Sequence, residues 1–271
     1  MDEVQKIETP PNPLLVSLRA RIPGETFRLP SHGLFYKNNE LADDVINGEV
    51  HVFPMTALDE IILKTPDSLL SGQSVNQVFL RCIPQILKPM KLLSRDVDYL
   101  MMCLRMISYG EELDITYTHS CEGAKSHGYV VNLKPLITQA KPIDPTTIGT
   151  IYTLKLGNAM VVKLRPPIFE SVMNMYLTNF QATNASITLL EAQTKLLDVI
   201  SDTIVSVDGN ENRDHIQEWV KAIPAGWMQD ISEALQKIGD WGPSTTVNLT
   251  CKDCNQPMEV EIPLNPISFF S

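Results

Sequence analysis

The sequence has no apolar run approaching the roughly 20 residues that a membrane span requires. It is short of positive charge, with 22 Lys and Arg against 32 Asp and Glu, a formal net charge of −10. Coating a nucleic acid requires clustered Lys and Arg for its phosphate contacts, so the balance argues against that class. Cysteine is scarce, five in 271 residues, and an odd number does not describe a disulfide framework. The nucleotide-binding and hydrolytic signatures G-x-x-x-x-G-K-[ST], strand-borne G-x-G-x-x-G, H-E-x-x-H and G-x-S-x-G are all missing. The opening MDEVQKIETPPNP has neither the basic start nor the apolar middle of a secretory signal, so an intracellular soluble protein is expected. What is present is ordinary globular composition, 44% hydrophobic and 20% charged, in a length that suits one large domain or two small ones.

Residues 1–25 read as an extended N-terminal arm, because Pro10, Pro11, Pro13 and Pro23 block helix interiors and remove backbone donors. Such an arm can add a strand to a neighbouring subunit. Patterning begins near Thr26, with a turn at Pro30-Ser31-His32-Gly33 and strand-like alternation over Val45–Pro54 around Asn47-Gly48. From Thr56 the apolar spacing changes to three and four. That predicts helices over 56–86 and 94–109, with Thr56 and Ser94 as N-caps and Gly110 as C-cap. Strand signals return over 113–137.

The second half repeats this order. A hairpin turning at Gly157-Asn158 is predicted, then helices from Phe169 through about Lys237, among them 187–207 as one helical run, then a strand–turn–strand over 245–264. Matched blocks recur in sequence: 50–63 with 161–173, LRCIPQI (80–86) with VKAIPAG (220–226), and 116–137 with 248–267. The fold class expected is α+β, in two pseudo-repeated units. Each has a β-hairpin, a helical segment and a strand–turn–strand knuckle, over 26–140 and 148–271 with a linker at 141–147.

Cys251-Lys-Asp-Cys254 is the strongest local signal, since a turn of this spacing can aim two thiolates at one tetrahedral ion. A closed site requires four ligands, and the matching turn in the first half offers His119, Cys121 and His127. The expected metal set is Cys121, His127, Cys251 and Cys254, with His119 as the alternative to His127. The bound ion would be a structural zinc, held by a zinc ribbon split between the halves. Two other readings compete. A redox pair would open a helix, whereas here strand patterning continues on both sides; or the thiols are idle residues of a turn. Cys82 and Cys103 lie on apolar helical faces and read as small core residues. So do Met90, Met101, Met102, Met106, Met173 and Met175, which would otherwise suit an adaptable contact surface. Asp59-Glu60 reads as a solvated first helical turn. Ile267, Phe269 and Phe270 are expected to be buried.

Several blocks together resemble the T4-type baseplate protein family of contractile-tailed bacteriophages. They are LPSHGLFY (29–36), GEVHVFPMTALDE (48–60), LLSGQSVNQVFLRCI (69–83) and YLMMCLRMISYG (99–110), with a knuckle behind them and a second knuckle before a Phe-Phe ending. The likeness runs over most of 26–137 and the last 25 residues and thins over 170–215. The first knuckle departs from the family look, with His119-Ser-Cys121 in place of Cys-x-x-Cys. The resemblance implies a virion or tail-assembly component of the baseplate hub or wedge, or a factor that builds it in the host cytoplasm. It implies no catalysis and contacts with other tail proteins; the charge balance and the lack of a long apolar run argue against nucleic acid and membrane as partners. Assembly components of this kind are expected within a symmetric multi-subunit particle. The competing class is a zinc-ribbon module recruiting nucleic acid or polymerase, which the acidic CKDCNQPMEVE knuckle disfavours. A catalytic zinc enzyme would need an open coordination position and a nearby carboxylate.

Overall fold

The computed structural model describes residues 22–271 except 38, 66–71, 122, 148–151, 158, 185, 265–268 and 271. The expected arm up to residue 21, and Ile267, therefore lie outside the described residues. No helix among those described is long and apolar enough to cross a membrane.

Strand β1 (Glu25–Arg28) pairs antiparallel with β2 (Glu49–Val52) across a long loop. Asn47 and Gly48, both at positive φ, set the turn into β2, and Glu49 N–H closes it on the Ile46 carbonyl at 3.0 Å. Helices α1 (Ala57–Leu63), α2 (Gln73–Cys82) and α3 (Ser94–Tyr109) follow. Thr56 caps α1 as expected, through a capping box with Asp59. Ser94 is the first residue of α3 rather than its cap; Leu93 holds the cap position and brings no side-chain oxygen. Gly110 ends α3 at φ 96°. Then come β3 (Glu112–Thr118), β4 (Ser126–Asn132) and the short α4 (Leu133–Thr138).

Further along the chain, β5 (Thr153–Leu156) and β6 (Met160–Leu164) form the expected hairpin, and α5 (Phe169–Thr183) and α6 (Leu189–Thr203) follow. The helical reading of 187–207 ends at Thr203. Ile204–Val207 is a strand, β7, on the other edge of β6, and its β-branched run IVSV suits a pleated surface better than a helical one. Helices α7 (Arg213–Ala222) and α8 (Ala225–Ile238) lead to the closing hairpin of β8 (Thr246–Thr250) and β9 (Pro257–Glu261). Two matched blocks share a local ending. Both α2 and α7 stop one residue before an Ile-Pro step, Ile83-Pro84 and Ile223-Pro224, where proline disfavours the helical conformation of its predecessor.

Packing does not follow the order of the chain. The largest core joins Val50, Val78, Phe79 and most of α3 to Met258, Val260 and Ile262 of the last hairpin, and to Phe269 and Phe270. A second core lies between β5–β7, α7 and α8, and includes Leu156, Val162, Ile216 and Ile231. Leu93, Ile143, Ile168 and Trp241 form a small third cluster. The chain leaves the first core and returns to it at neighbouring points. Lys141 and Gly242 exchange backbone hydrogen bonds of 2.9 and 2.8 Å. Phe269 and Phe270, each 1% exposed, meet edge to face, and the Phe269 carbonyl accepts from Arg105 Nε at 3.0 Å. Cys82 and Cys103 are buried as expected, and Met101 and Met102 with them.

Helix α3 is buried almost all round, so its polar residues must find partners inside. Asp96 accepts from Ser31 N–H at 3.1 Å and from the Tyr36 hydroxyl at 2.5 Å, while Tyr36 accepts from Leu93 N–H at 2.9 Å. This ties the PSHGLFY loop to the start of α3. Asp59 is a correction to the solvated first turn. Its carboxylate is 1% exposed, accepts from Thr56 N–H and pairs with Arg81. Burial pushes its pKa up, and Thr56 and Arg81 outweigh that and hold it below the ordinary value. In the second half, Asp202 gathers Ser171 (2.9 Å) and Arg213 (2.7 Å) on its carboxylate and Arg165 (3.0 Å) on its carbonyl, joining β6, α5, α6 and α7.

Burial raises the Asp96 carboxyl to about 6, against the pull of its Ser31 and Tyr36 hydrogen bonds. The folded chain therefore holds this proton more tightly than the unfolded chain does. Its contribution favours folding at low pH and declines as pH rises from about 4 through 6, by up to about 3 kcal/mol. Urea unfolding of wild type and Asp96→Asn across that window should show wild type losing stability relative to the variant as pH rises. A difference independent of pH would contradict this assignment.

Candidate metal centre

Two hairpins build the centre. Strands β3 and β4 pair from Glu112↔Asn132 to Thr118↔Ser126, leaving a turn that begins at His119. Strands β8 and β9 pair from Thr246↔Glu261 to Thr250↔Pro257, leaving a turn that begins at Cys251. In both, the first candidate ligand is the residue immediately after the first strand, and the second lies two or three residues on: His119 and Cys121, then Cys251 and Cys254. The second turn is closed by Cys251 N–H on the Gln256 carbonyl (2.9 Å) and Asn255 N–H on the Cys251 carbonyl (3.0 Å). Asn255 takes φ 57°, a left-handed conformation that asparagine tolerates better than most residues. Gly123 supplies the corresponding left-handed residue in the first turn, at φ 73°.

The apolar faces of the hairpins bring the turns together. Ile115 and Tyr129 of the first and Met258 and Val260 of the second belong to the same core. As a result the ligand atoms of His119, Cys121, Cys251 and Cys254 all lie within 4.8 Å of one another. Cys121 Sγ is 3.9 Å from Cys251 Sγ, and Cys254 Sγ is 3.4 Å from His119 Nδ1. Tetrahedral geometry with metal–sulfur bonds of about 2.3 Å and a metal–nitrogen bond of about 2.0 Å puts two sulfurs about 3.8 Å apart, and a sulfur and a nitrogen about 3.5 Å apart. The two separations fit a single ion.

The electrostatics suit a thiolate. The backbone N–H of Cys254 is turned onto the Cys251 sulfur, as is that of Asp253. With hydrogen bonds from the Cys254 and Cys121 thiols, they bring the Cys251 pKa to about 6 although burial opposes them. Cys121 moves the other way, to about 11, through burial and the neighbouring Cys254 and Cys251 sulfurs. Three mutually close thiols cannot all ionise without a cation among them, and a metal ion is a cation that this donor set could hold.

His127, the first choice for the fourth ligand, is outside the group. It is the second residue of β4, opposite Tyr117, and on the strand face of Tyr129 and Val131 rather than in the turn. Its Nε2 meets Asp253 Oδ1 at 2.9 Å. The structure draws in His119 instead. The strand alternation HGYVV carried the signal, because it places His127 inside a strand, whereas His119 follows the strand as Cys251 does. Asp253 and Lys252, the residues between the two cysteines, were not singled out from sequence. Both reach across to the first hairpin.

Comparison with known families gives one result. The model of a family described as T4 bacteriophage base plate protein matches residues 47–271, which take in both knuckles and leave out the 29–36 motif. No curated protein and no solved structure matches the chain.

If the four residues form one site, metal content measured by plasma mass spectrometry should fall to background in Cys251→Ser and stay stoichiometric in Cys82→Ser. Equal content in the two variants would contradict the site.

Proposed function

The chain belongs to the T4 bacteriophage base plate protein family, and from that premise we propose that it is a structural or assembly component of a contractile-tail baseplate, in the hub or wedge or in building it. It acts through contacts with other tail proteins and catalyses no reaction. The observation that carries this reading is the family match over residues 47–271. The centre supports the non-catalytic part. Three cysteines and one histidine bound to one ion would fill a tetrahedral set and leave no position for a reactive water.

The ion is zinc, chosen by a soft three-thiolate, one-imidazole donor set in tetrahedral spacing. Its role is to fasten the closing hairpin to the first half as a zinc ribbon split between distant segments. Structural zinc binds small modules with an apparent free energy of about 10–16 kcal/mol where the metal-free module is unfolded. Here the two hairpins also share an apolar core, so ion binding would add by linkage to the stability that burial supplies. The two knuckles derive from one repeated unit. The recurring order of hairpin, helices and hairpin supports this, as does the shared placement of the first ligand after the first strand. A polymerase or nucleic-acid recruiting role has less support. Lys252 is engaged with the Gly128 carbonyl and the Tyr129 ring, and Asp253 sits beside it.

Deleting the gene from its phage should give tails that lack complete baseplates. Mass spectrometry of purified tails should separate a resident subunit, which is present, from an assembly factor, which is absent. Normal baseplates in the deletion would overturn the proposal.

A further inference from the structure

In the turn that carries the two thiols, Cys251 is buried in the first core and Cys254 packs against it. Lys252, Asp253, Asn255 and Gln256 are exposed, and the buried anchors Met258 and Val260 lie along β9. Core packing therefore seats Cys251 but does not by itself orient the exposed residues between the two thiols. What sets that part of the turn is a group of bonds from the intervening residues to one short stretch of the other hairpin. Asp253 Oδ2 accepts from Lys125 N–H at 2.9 Å, and Oδ1 lies 2.9 Å from His127 Nε2. Lys252 Nζ donates to the Gly128 carbonyl at 2.5 Å and sits 4.9 Å over the Tyr129 ring, while its backbone N–H reaches the Tyr129 hydroxyl at 3.3 Å.

All of these partners fall within 125–129, on the returning side of the first turn. His119 and Cys121 lie on its outgoing side. The second knuckle thus grips the first on both sides, with polar bonds on one and ligands on the other. One bond of the Asp253 carboxylate goes to a backbone N–H, which fixes register independently of any rotamer on the first hairpin.

We propose that Asp253 is a positioning residue for the metal centre, with His127 as its partner: their clasp sets the Cys251–Cys254 turn against β4 so that the four ligand atoms stand at ion-binding separation before an ion arrives. This rests on the metal reading given above and deepens it. His127 thereby acts through Asp253 and not as a ligand. The physical reason is preorganisation. Contacts that orient ligands from outside the coordination shell are typically worth about 10- to 100-fold in metal affinity.

The test is cobalt(II) titration of the metal-free full chain, read by its visible absorption bands. Wild type should show the intense bands of a tetrahedral thiolate site. Asp253→Ala should bind about 10- to 100-fold more weakly with bands at the same positions, since the ligands are unchanged. Asp253→Asn keeps an acceptor for Lys125 N–H and should recover most of the loss. Should Asp253→Ala fail to fold, His127→Ala gives the second reading: weaker binding, unshifted bands. Wild-type affinity in both alanine variants overturns the proposal, and a band shift in His127→Ala overturns it by making His127 a ligand. Absence of cobalt uptake by wild type overturns the underlying metal reading as well, which separates the two failures.

Discussion

The closing hairpin lies in the core of the first half, and the arrangement of the chain depends on that contact. Cys251, Met258, Val260, Ile262, Phe269 and Phe270 complete a cluster whose other buried members lie between Leu29 and Ile137. Fully burying apolar side chains of this size stabilises by roughly 1.5–3 kcal/mol each, enough to hold the two hairpins side by side. Only then do His119 and Cys121 stand opposite Cys251 and Cys254, 130 positions away in the case of Cys121 and Cys251.

The middle of the chain is accommodated around that constraint. It departs beside Lys141 and returns beside Gly242, and the two backbones are hydrogen-bonded at that point. Between them it builds its own core around β5–β7, α7 and α8. Further contacts tie it back to the first half. Leu93 and Ile168 form a bridge, Ser94 N–H donates to the Pro167 carbonyl at 2.9 Å, and Lys91 pairs with Glu170. The arrangement is a central body held by both ends of the described chain, with a second body carried between two adjacent crossings.

Much of this was legible in sequence, and the exceptions have physical causes. Periodicity found the helices, and the Thr56 cap, the Gly110 stop and the C-x-x-C turn were each visible because local chemistry determines them. The α+β class followed from the same periods. The strand at Ile204–Val207 was hidden because its apolar residues continue the helical spacing of α6, and its pairing with β6 is a long-range event. Asp59 looked solvated because its partner, Arg81, is 22 positions away. The grouping of the last hairpin with the first core was likewise invisible, since matched blocks say which segments are alike and not which pack together. At the candidate centre, the three cysteines that the fold brings together were the ones singled out from sequence. The choice between His119 and His127 turned on strand register, which composition does not carry.

X-ray absorption at the zinc edge of the purified full chain tests the split centre most directly. With Cys121, Cys251, Cys254 and His119 as the proposed donors, three sulfurs at about 2.3 Å and one nitrogen at about 2.0 Å around each ion are expected. A shell dominated by oxygen, or one with two sulfurs only, would mean that the two hairpins do not share an ion.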